Sequence, residues 1–262
     1  MDFRIAGKVA FVAGGSQGIG CAAASALAAE GCKVLVVARG QEGIDKAVAE
    51  IRKEGGTAEG VSADLTSREG VEKALEVCRT LWDMPDIVVS QTKQYHEGWA
   101  INMDPEHVED MFRIVTLGAI YLAQATVPAM QAKKWGRFVH IGSGTAKEPE
   151  TRFPHAVANV ARPATSGFLK TLSAEVAADG VTVNTVAPGW IRTPGMEQFF
   201  ARKDWSIEQA NAWLKDTIGV PAGRPGSAEE AGATVAYLCS DQAGYITGVW
   251  LKVNGGNHTS IM

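Results

Sequence analysis

The stretch that decides the fold lies near the N-terminus, where Lys8-Val9-Ala10-Phe11-Val12 runs into Ala13-Gly14-Gly15-Ser16-Gln17-Gly18-Ile19-Gly20 and then Cys21-Ala22-Ala23-Ala24. The first run is apolar on both faces, as in a buried strand of a parallel sheet. Small residues after it let the backbone turn tightly and approach a pyrophosphate, whose charge the start of the following helix stabilises. The pattern therefore predicts a strand, a phosphate-binding turn and a helix, with cofactor contacts from Gly14, Ser16, Gln17, Gly18, Ile19 and Gly20.

The same alternation of strand and helix continues along the chain. Further strand-like runs occupy 33–37, 58–62, 86–89, 137–141, 181–186 and 249–253. Helix-forming segments cover 18–30, 41–54, 67–82 and 105–131, and another begins near Ser227. No linker, charge block or repeat divides the sequence. We therefore predict a single domain, 1–262, with an α/β three-layer Rossmann fold built on a seven-stranded parallel sheet.

The composition is that of an ordinary globular protein. Of 262 residues, 46% are hydrophobic and 21% charged, with 25 Lys and Arg against 29 Asp and Glu. This acidic balance argues against nucleic-acid binding. Apolar runs such as 114–122 fall short of the roughly 20 residues that span a bilayer, so no membrane association is expected. No secretory signal is readable, and the four cysteines lack C-x-x-C spacing, so we expect reduced thiols, no metal site and a cytoplasmic protein.

The end of the second strand indicates which dinucleotide binds. An acidic residue there would hydrogen-bond a ribose 2′-hydroxyl, whereas this chain has Ala38 followed by Arg39. A cation at this place favours the 2′-phosphate of NADP(H). The alternative is that Arg39 is an ordinary solvated arginine.

The segment 190–220 is the one irregular stretch, and it holds Trp190, Phe199, Phe200, Trp205 and Trp213. Two interpretations remain open. The segment is either a helical cap that packs on itself or on a partner subunit, or a substrate lid with an aromatic lining.

Taken together, these motifs resemble those of the short-chain dehydrogenase/reductase family over nearly the whole chain. Gly14-x3-Gly18-Ile19-Gly20 is similar to the family's cofactor fingerprint, with Ala13 in place of its usual threonine. The resemblance places Asp64-Leu65 at the adenine ring and Ser143 on the catalytic serine. It also makes Ser90, after the fourth strand, a cofactor contact. It places Pro188, Gly189, Ile191 and Thr193 on the nicotinamide side. It also implies NADP(H) as cofactor, a small-molecule substrate, and a homodimer or homotetramer formed through the long helices.

The resemblance fails at the catalytic positions. The family's Tyr-x3-Lys motif aligns with Ala158 and Arg162, and the asparagine that relays protons aligns with Thr116. Ala158 cannot protonate an alkoxide, and losing a general acid costs on the order of 10² to 10⁴ in rate. Arg162 keeps a positive charge that can stabilise an oxyanion but does not readily donate a proton.

Two residues are candidates for the missing acid. His155 precedes Arg162 by seven residues, the spacing that enoyl reductases of the same superfamily use between tyrosine and lysine, and an imidazole pKa suits proton donation. Lys93 stands at the mouth of the fourth strand, where parallel sheets place ligands. For each, the alternative is a surface or structural side chain.

Pro163 lies in what should be a long helix, so we expect that helix to begin late or to be kinked. Asn159 is a plausible N-cap for a start near Val160, which would put Pro163 in the first turn and displace Arg162 from the usual lysine position.

Three functions fit these observations. The first is an NADP(H)-dependent oxidoreductase with a non-standard site formed by Ser143, Arg162, His155 and Lys93, which reduces a carbonyl or conjugated alkene of an apolar substrate. The second is a non-redox isomerase, dehydratase or lyase on the same scaffold. The third is a catalytically silent NADP(H)-binding protein.

Overall fold

The strands form one parallel sheet. The computed structural model describes residues 2–91, 96–258 and 260. Within them the strands are β1 (Val9–Ala13), β2 (Lys33–Ala38), β3 (Thr57–Ser62), β4 (Ile87–Ser90), β5 (Gly136–Ile141), β6 (Val181–Pro188) and β7 (Trp250–Val253). Their order is β3-β2-β1-β4-β5-β6-β7, and every neighbouring pair is parallel. The predicted seven-stranded sheet is confirmed.

Helices cover both faces of the sheet. They are α1 (Gly18–Ala29), α2 (Gln41–Lys53), α3 (Arg68–Leu81), α4 (Pro105–Met111), α5 (Gly118–Lys133), α6 (Ala156–Val176), α7 (Pro194–Ala201), α8 (Ile207–Ala212) and α9 (Ala228–Cys239). A wider helical turn at 112–117 joins α4 to α5, and another at 213–217 follows α8. Side chains set several helix starts: Ser67 caps α3, and Ser227 with Glu230 forms a capping box at α9.

The core consists of two layers, one on each face of the sheet. On one face Val36 packs in a cluster with Leu27 of α1 and Val235 of α9, and on the other Phe138 packs with Leu75 of α3. Because β1 lies between β2 and β4, the connections on its two sides run in opposite directions. A crevice therefore opens at the carboxyl ends of these strands, where α/β sheets of this kind bind ligands.

The stretch 105–133 passes a simple test for a membrane span by length and composition, with a mean hydropathy of 1.2. Sequence reasoning compared only the apolar run 114–122 with the length of a bilayer span, although that run lies inside the predicted helix-forming segment 105–131. In the fold, 56% of the 18-residue apolar stretch within this helix is buried inside the protein, as in the core helix of a globular domain.

The expected late start of the long helix is wrong. The structure begins α6 at Ala156, so Pro163 lies inside the helix rather than in its first turn. Asn159 is not the N-cap: its side-chain amide donates to the carbonyl of Glu150 at 2.8 Å and accepts from the Glu150 N–H at 3.2 Å. The asparagine therefore fastens the preceding loop to α6. Arg162 therefore lies within α6 and is not displaced by a late helix start.

The segment 190–220 folds as α7, α8 and the turn 213–217, with an apolar cluster of its own. Phe200 and Leu214 are buried in it, while Trp190 and Trp213 stay partly exposed with their ring centroids 5.1 Å apart. Phe153, from the loop before α6, joins the same cluster. The segment thus packs on itself and also contacts the loop that leads to His155.

Candidate functional site

The glycine-rich turn joins β1 to α1 as the sequence predicted. Gly14 and Gly18 have φ angles of +67° and +57°, in the left-handed region that glycine adopts most readily. No side chain of the described residues caps the start of α1, and its first turn contains no acidic residue. The N–H groups there and the positive end of the helix are therefore available to an anion.

Gly20 shows why this turn needs small residues. A Cβ atom at this position would lie 2.7 Å from the Gln91 side-chain oxygen and closer still to the Gly14 carbonyl oxygen. The close approach of Gly14 to the start of α1 therefore depends on the missing side chain, and this approach shapes the mouth of the turn.

A cavity of about 400 Å³ opens in front of this turn, at the crevice beside β1. Its wall brings together six of the predicted cofactor residues, namely Gly14, Ser16, Gln17, Arg39, Asp64 and Leu65. Arg39 is exposed at the rim, next to the uncapped start of α2. A positive side chain and a second helix N-terminus thus meet at the end of β2, where an anion would be stabilised.

Ile19 and Gly20 are buried in α1 behind the turn. Ser90 is buried at the end of β4, with its Oγ 3.3 Å from Nδ1 of His140. Thr193 is the one that reaches the turn, since its methyl group would lie 3.1 Å from a Cβ at Gly18. Ile191 is buried and pairs with Gly226.

Pro188 ends β6, and the Gly189 N–H donates to the Val253 carbonyl at 3.0 Å. Both belong to the segment that leads from the sheet to Thr193. Contact of these residues with a cofactor stays a prediction.

Ser143 and Arg162 come together beyond the carboxyl end of β5. Ser143 is half-buried and begins the short turn 144–146, and Arg162 extends from α6. Nη1 of Arg162 donates to Oγ of Ser143 and to Oγ1 of Thr145, each at 2.9 Å. The hydroxyl oxygen of Ser143 also accepts from the Thr145 N–H and the Thr145 hydroxyl, each at 3.3 Å. This cluster concentrates hydrogen-bond donors around one oxygen.

His155 lies at the N-terminal end of α6, with its ring centroid 6.0 Å from that of Phe153. Burial, followed by the positive charge of Arg162, lowers its pKa to about 4. The expectation that this imidazole has a pKa suited to proton donation is therefore wrong, because a group with that pKa is almost wholly neutral at pH 7. The other candidate acid, Lys93, lies outside the described residues.

A second histidine lies beneath the site. His140 on β5 is buried, and burial, followed by the charge of Arg162, lowers its pKa to about 4. Both histidines are thus neutral near the same guanidinium. Across the part of the chain that the structure describes, no group of three or more His, Cys, Asp or Glu side chains could hold a metal ion.

The positions that the resemblance assigns to tyrosine and asparagine are occupied by closely packed residues. Ala158 is fully buried in an apolar cluster with Met111 and Val115. The Thr116 hydroxyl donates to the carbonyl of Ala161 at 3.0 Å, and Thr165 donates to Thr116 at 3.2 Å. These contacts hold α6 against the turn 112–117.

Two residues of the site were missed by the sequence reasoning. Thr145 contacts both Ser143 and Arg162, and Gln91 lines the cavity with a buried side-chain oxygen that has no hydrogen-bond partner among the described residues. Gln91 did stand in the sequence directly after a buried strand, which was a usable signal. Nothing in the sequence marked Thr145, because its role depends on the shape of the turn after Ser143.

Comparison with known proteins agrees with this architecture. Residues 13–258 match the family model described as enoyl-(acyl carrier protein) reductase. The 3-oxoacyl-[acyl-carrier-protein] reductase FabG of Haemophilus influenzae is 35% identical over 257 residues, covering 97% of this chain and 99% of that protein.

Solved structures are similar over the same length. L-sorbose reductase from Gluconobacter frateurii, complexed with NADPH and L-sorbose, has a TM-score of 0.92 and 30% identity, covering all of both chains. An NADPH-bound short-chain oxidoreductase from Pseudomonas aeruginosa, described as containing an atypical catalytic center, has a TM-score of 0.88 and 26% identity, covering 97% of each. From the family match and the shared fold, the chain belongs to the short-chain dehydrogenase/reductase family of NAD(P)-dependent oxidoreductases.

Proposed function

We propose that this protein is an NADPH-dependent reductase whose reacting centre is built on Ser143 and Arg162. The observation that carries the proposal is the pairing of a glycine turn at Gly14–Gly20, which borders a cavity, with a cluster of hydrogen-bond donors at Ser143, both at the carboxyl edge of one parallel sheet. The two similar structures described with NADPH cover 100% and 97% of this chain, which supports the choice of nucleotide.

The residues present fit NADPH. The uncapped start of α1 and the close approach at Gly20 suit a pyrophosphate, while Arg39 beside the start of α2 suits a 2′-phosphate. Asp64 and Leu65 line the far wall, where the adenine would lie. When bound, NADPH would supply a hydride to the substrate.

The chain's own residues would stabilise the charge that reduction creates. An oxygen of the substrate placed against Ser143 would receive the hydroxyl hydrogen bond, with the Arg162 guanidinium 2.9 Å behind that hydroxyl. Such preorganised donors suit an alkoxide from a carbonyl or an enolate from a conjugated alkene. Ala158 and Thr116 would take no part in proton transfer, since one has no polar group and the other donates to the backbone.

The aromatic cluster favours an apolar substrate, aromatic rings included. Phe153 links Trp190 and Trp213 to His155, with centroid distances of 6.2 Å, 5.9 Å and 6.0 Å. We therefore infer that the segment 190–220 is a lid of the single domain 1–262 and presents partly exposed rings to a small-molecule substrate. Assembly as a homodimer or homotetramer belongs to the same proposal.

A second candidate is a catalytically silent NADPH-binding protein. The low pKa of His155, about 4, favours it because it removes an obvious acid from the site. The two candidates differ in whether NADPH is consumed.

Purified protein mixed with NADPH and panels of apolar ketones and enones should consume NADPH with at least one compound. Arg162→Met should lower kcat by about 10- to 100-fold, as expected for losing a charged hydrogen bond to an oxyanion partner. Arg79→Met, which removes an exposed arginine on α3, is the matched control. Tight NADPH binding with no consumption by any compound would refute the reductase and leave the silent binder.

A further inference from the structure

We propose that the Ser143 hydroxyl is the proton donor of the reaction, and that Thr145 positions it for that task. The inference rests on the proposed reductase function. It gives Ser143 a role beyond holding the substrate oxygen, and it gives Thr145 a role that no sequence motif assigns.

The hydrogen bonds around Ser143 determine where its proton can point. Its oxygen accepts from Nη1 of Arg162 at 2.9 Å and from the N–H and hydroxyl of Thr145, each at 3.3 Å. A hydroxyl has two acceptor lone pairs and one donor hydrogen. Three donors share these two acceptor sites, so the one hydrogen of Ser143 is directed away from them, toward an oxygen placed in the site.

The same three donors would stabilise the oxygen after the proton has left. A serine alkoxide would be held by one guanidinium N–H, one backbone N–H and one hydroxyl, a combination that suits a developing oxyanion. Charge-assisted hydrogen bonds of this kind are roughly twice as strong as neutral ones. The arrangement therefore favours release of the Ser143 proton in the step that needs it.

Thr145 controls the arrangement because it contacts both partners. Its hydroxyl oxygen accepts from Nη1 of Arg162 at 2.9 Å while its hydrogen is donated to Ser143. The turn that carries it is held in place, since Gly144 is buried against the ring of His258, whose Nδ1 lies 3.4 Å from a carboxylate oxygen of Glu148. An arginine side chain has many rotamers, and two fixed acceptors reduce that freedom.

The step balances in atoms and charge. When bound, NADPH would supply hydride to the carbonyl carbon, and the electron pair of the C=O π bond would move onto oxygen. The Ser143 O–H bond breaks, its proton bonds to that oxygen, and the electron pair stays on Ser143 among its three donors. Water then returns a proton to Ser143 and leaves hydroxide in the solvent, so that one substrate, one NADPH and one solvent proton give the alcohol and NADP⁺.

His140 and His155 do not compete for this role at neutral pH, because burial and the charge of Arg162 lower the pKa of each to about 4 and leave both imidazoles uncharged there.

The test compares Thr145→Val, which keeps the shape of the side chain but removes the hydroxyl, with Thr145→Ser, which keeps the hydroxyl. With a ketone turned over by the wild type, Thr145→Val should lower kcat by about 10- to 100-fold and leave KM and the NADPH dissociation constant within about threefold. Its solvent deuterium isotope effect on kcat should rise, because proton transfer becomes slower. Thr145→Ser should restore most of kcat. Thr171→Val is the matched control, since it removes an exposed threonine hydroxyl from α6 away from the site.

A second readout needs neither substrate nor nucleotide. In ¹⁵N NMR of arginine side chains, Thr145→Val should speed rotation of the Arg162 guanidinium relative to the wild type, while Thr145→Ser and Thr171→Val should not. Unchanged kcat, isotope effect and guanidinium rotation in Thr145→Val would overturn the inference and leave the proposed reductase intact. If the wild type oxidises NADPH with no compound, the reductase proposal fails and the inference falls with it.

Discussion

The buried histidine of the central sheet should make the stability of this protein depend on pH. His140 on β5 is 3% exposed, and its pKa is lowered from 6.5 to about 4, first by burial and then by the charge of Arg162. The unfolded chain therefore binds more protons than the folded chain between these two pH values. The contribution of His140 to stability is present above pH 6.5 and is lost as the pH falls toward 4.

The size of the loss in unfolding free energy follows from the shift in the pKa of His140. At pH 4.5 the histidine is almost fully protonated in the unfolded chain and mostly neutral in the folded one. One pKa unit is worth about 1.4 kcal/mol, so the free energy of unfolding should fall by between about 2 and 3 kcal/mol from pH 7.5 to 4.5 on account of this residue. Surface carboxylates titrate in the same range, so the quantity to compare is the difference between wild type and a variant.

Urea unfolding of wild type and His140→Gln at both pH values measures that difference. The variant should be less stable at pH 7.5, since it replaces a buried ring that contacts Ser90, but it should lose about 2 to 3 kcal/mol less on acidification. Thr185→Val is the matched control, because Thr185 is the buried neighbour of His140 on β6 and does not titrate. Equal pH dependence in wild type and His140→Gln would refute the reasoning.

Three further substitutions test the cofactor and substrate sites. Arg39→Ala should weaken NADPH binding by about 10- to 100-fold and change NADH binding by less than about threefold in calorimetry, since it removes a charged contact to the 2′-phosphate alone; equal losses for both nucleotides would contradict this. Gly20→Ala should lower both Tm and NADPH affinity because its Cβ would meet the Gln91 oxygen at 2.7 Å, whereas Gly167→Ala on α6, where no atom of the described residues lies within 4 Å of the added Cβ, should lower neither. Trp213→Ala should raise KM for an apolar substrate several-fold with an unchanged NADPH dissociation constant; an unchanged KM would argue against the lid.

Much of the fold could be read from the sequence because its signals are local. Runs such as Lys33–Ala38, apolar on both faces, leave few alternatives to a buried parallel strand. Ser227 and Glu230, three residues apart, mark a helix start that the structure reproduces. The glycine turn was equally readable, because a strand, small residues and a helix follow one another without interruption.

The start of α6 could not be predicted, because it depends on contacts distant in sequence. Asn159 has the chemistry of an N-cap, but its amide is used by the backbone of Glu150 nine residues earlier. Packing of α6 against the turn 112–117, with Thr116 donating to Ala161, keeps the helix together across Pro163. Local propensity was overridden by tertiary contacts.

The protonation state of the site also could not be predicted from the sequence. The spacing to Arg162 suggested that His155 reaches the site, and the ordinary pKa of an imidazole was assumed for it. Burial and the neighbouring Arg162 lower that pKa to about 4. The cluster of Ser143, Arg162 and Thr145 was only partly foreseen for a related reason. Resemblance marked the first two positions, but the contact of Thr145 with both depends on how the backbone turns after β5.

The central claim is that hydride from NADPH reaches a substrate held at Ser143 and Arg162. Mass spectrometry of products formed with NADPH deuterated at the transferable C4 position tests it most directly. We expect one deuterium at the reduced carbon with the wild type, and a rate of incorporation at least about tenfold lower with Ser143→Ala. Saturable NADPH binding without deuterium in any product, or equal incorporation by Ser143→Ala, would contradict it.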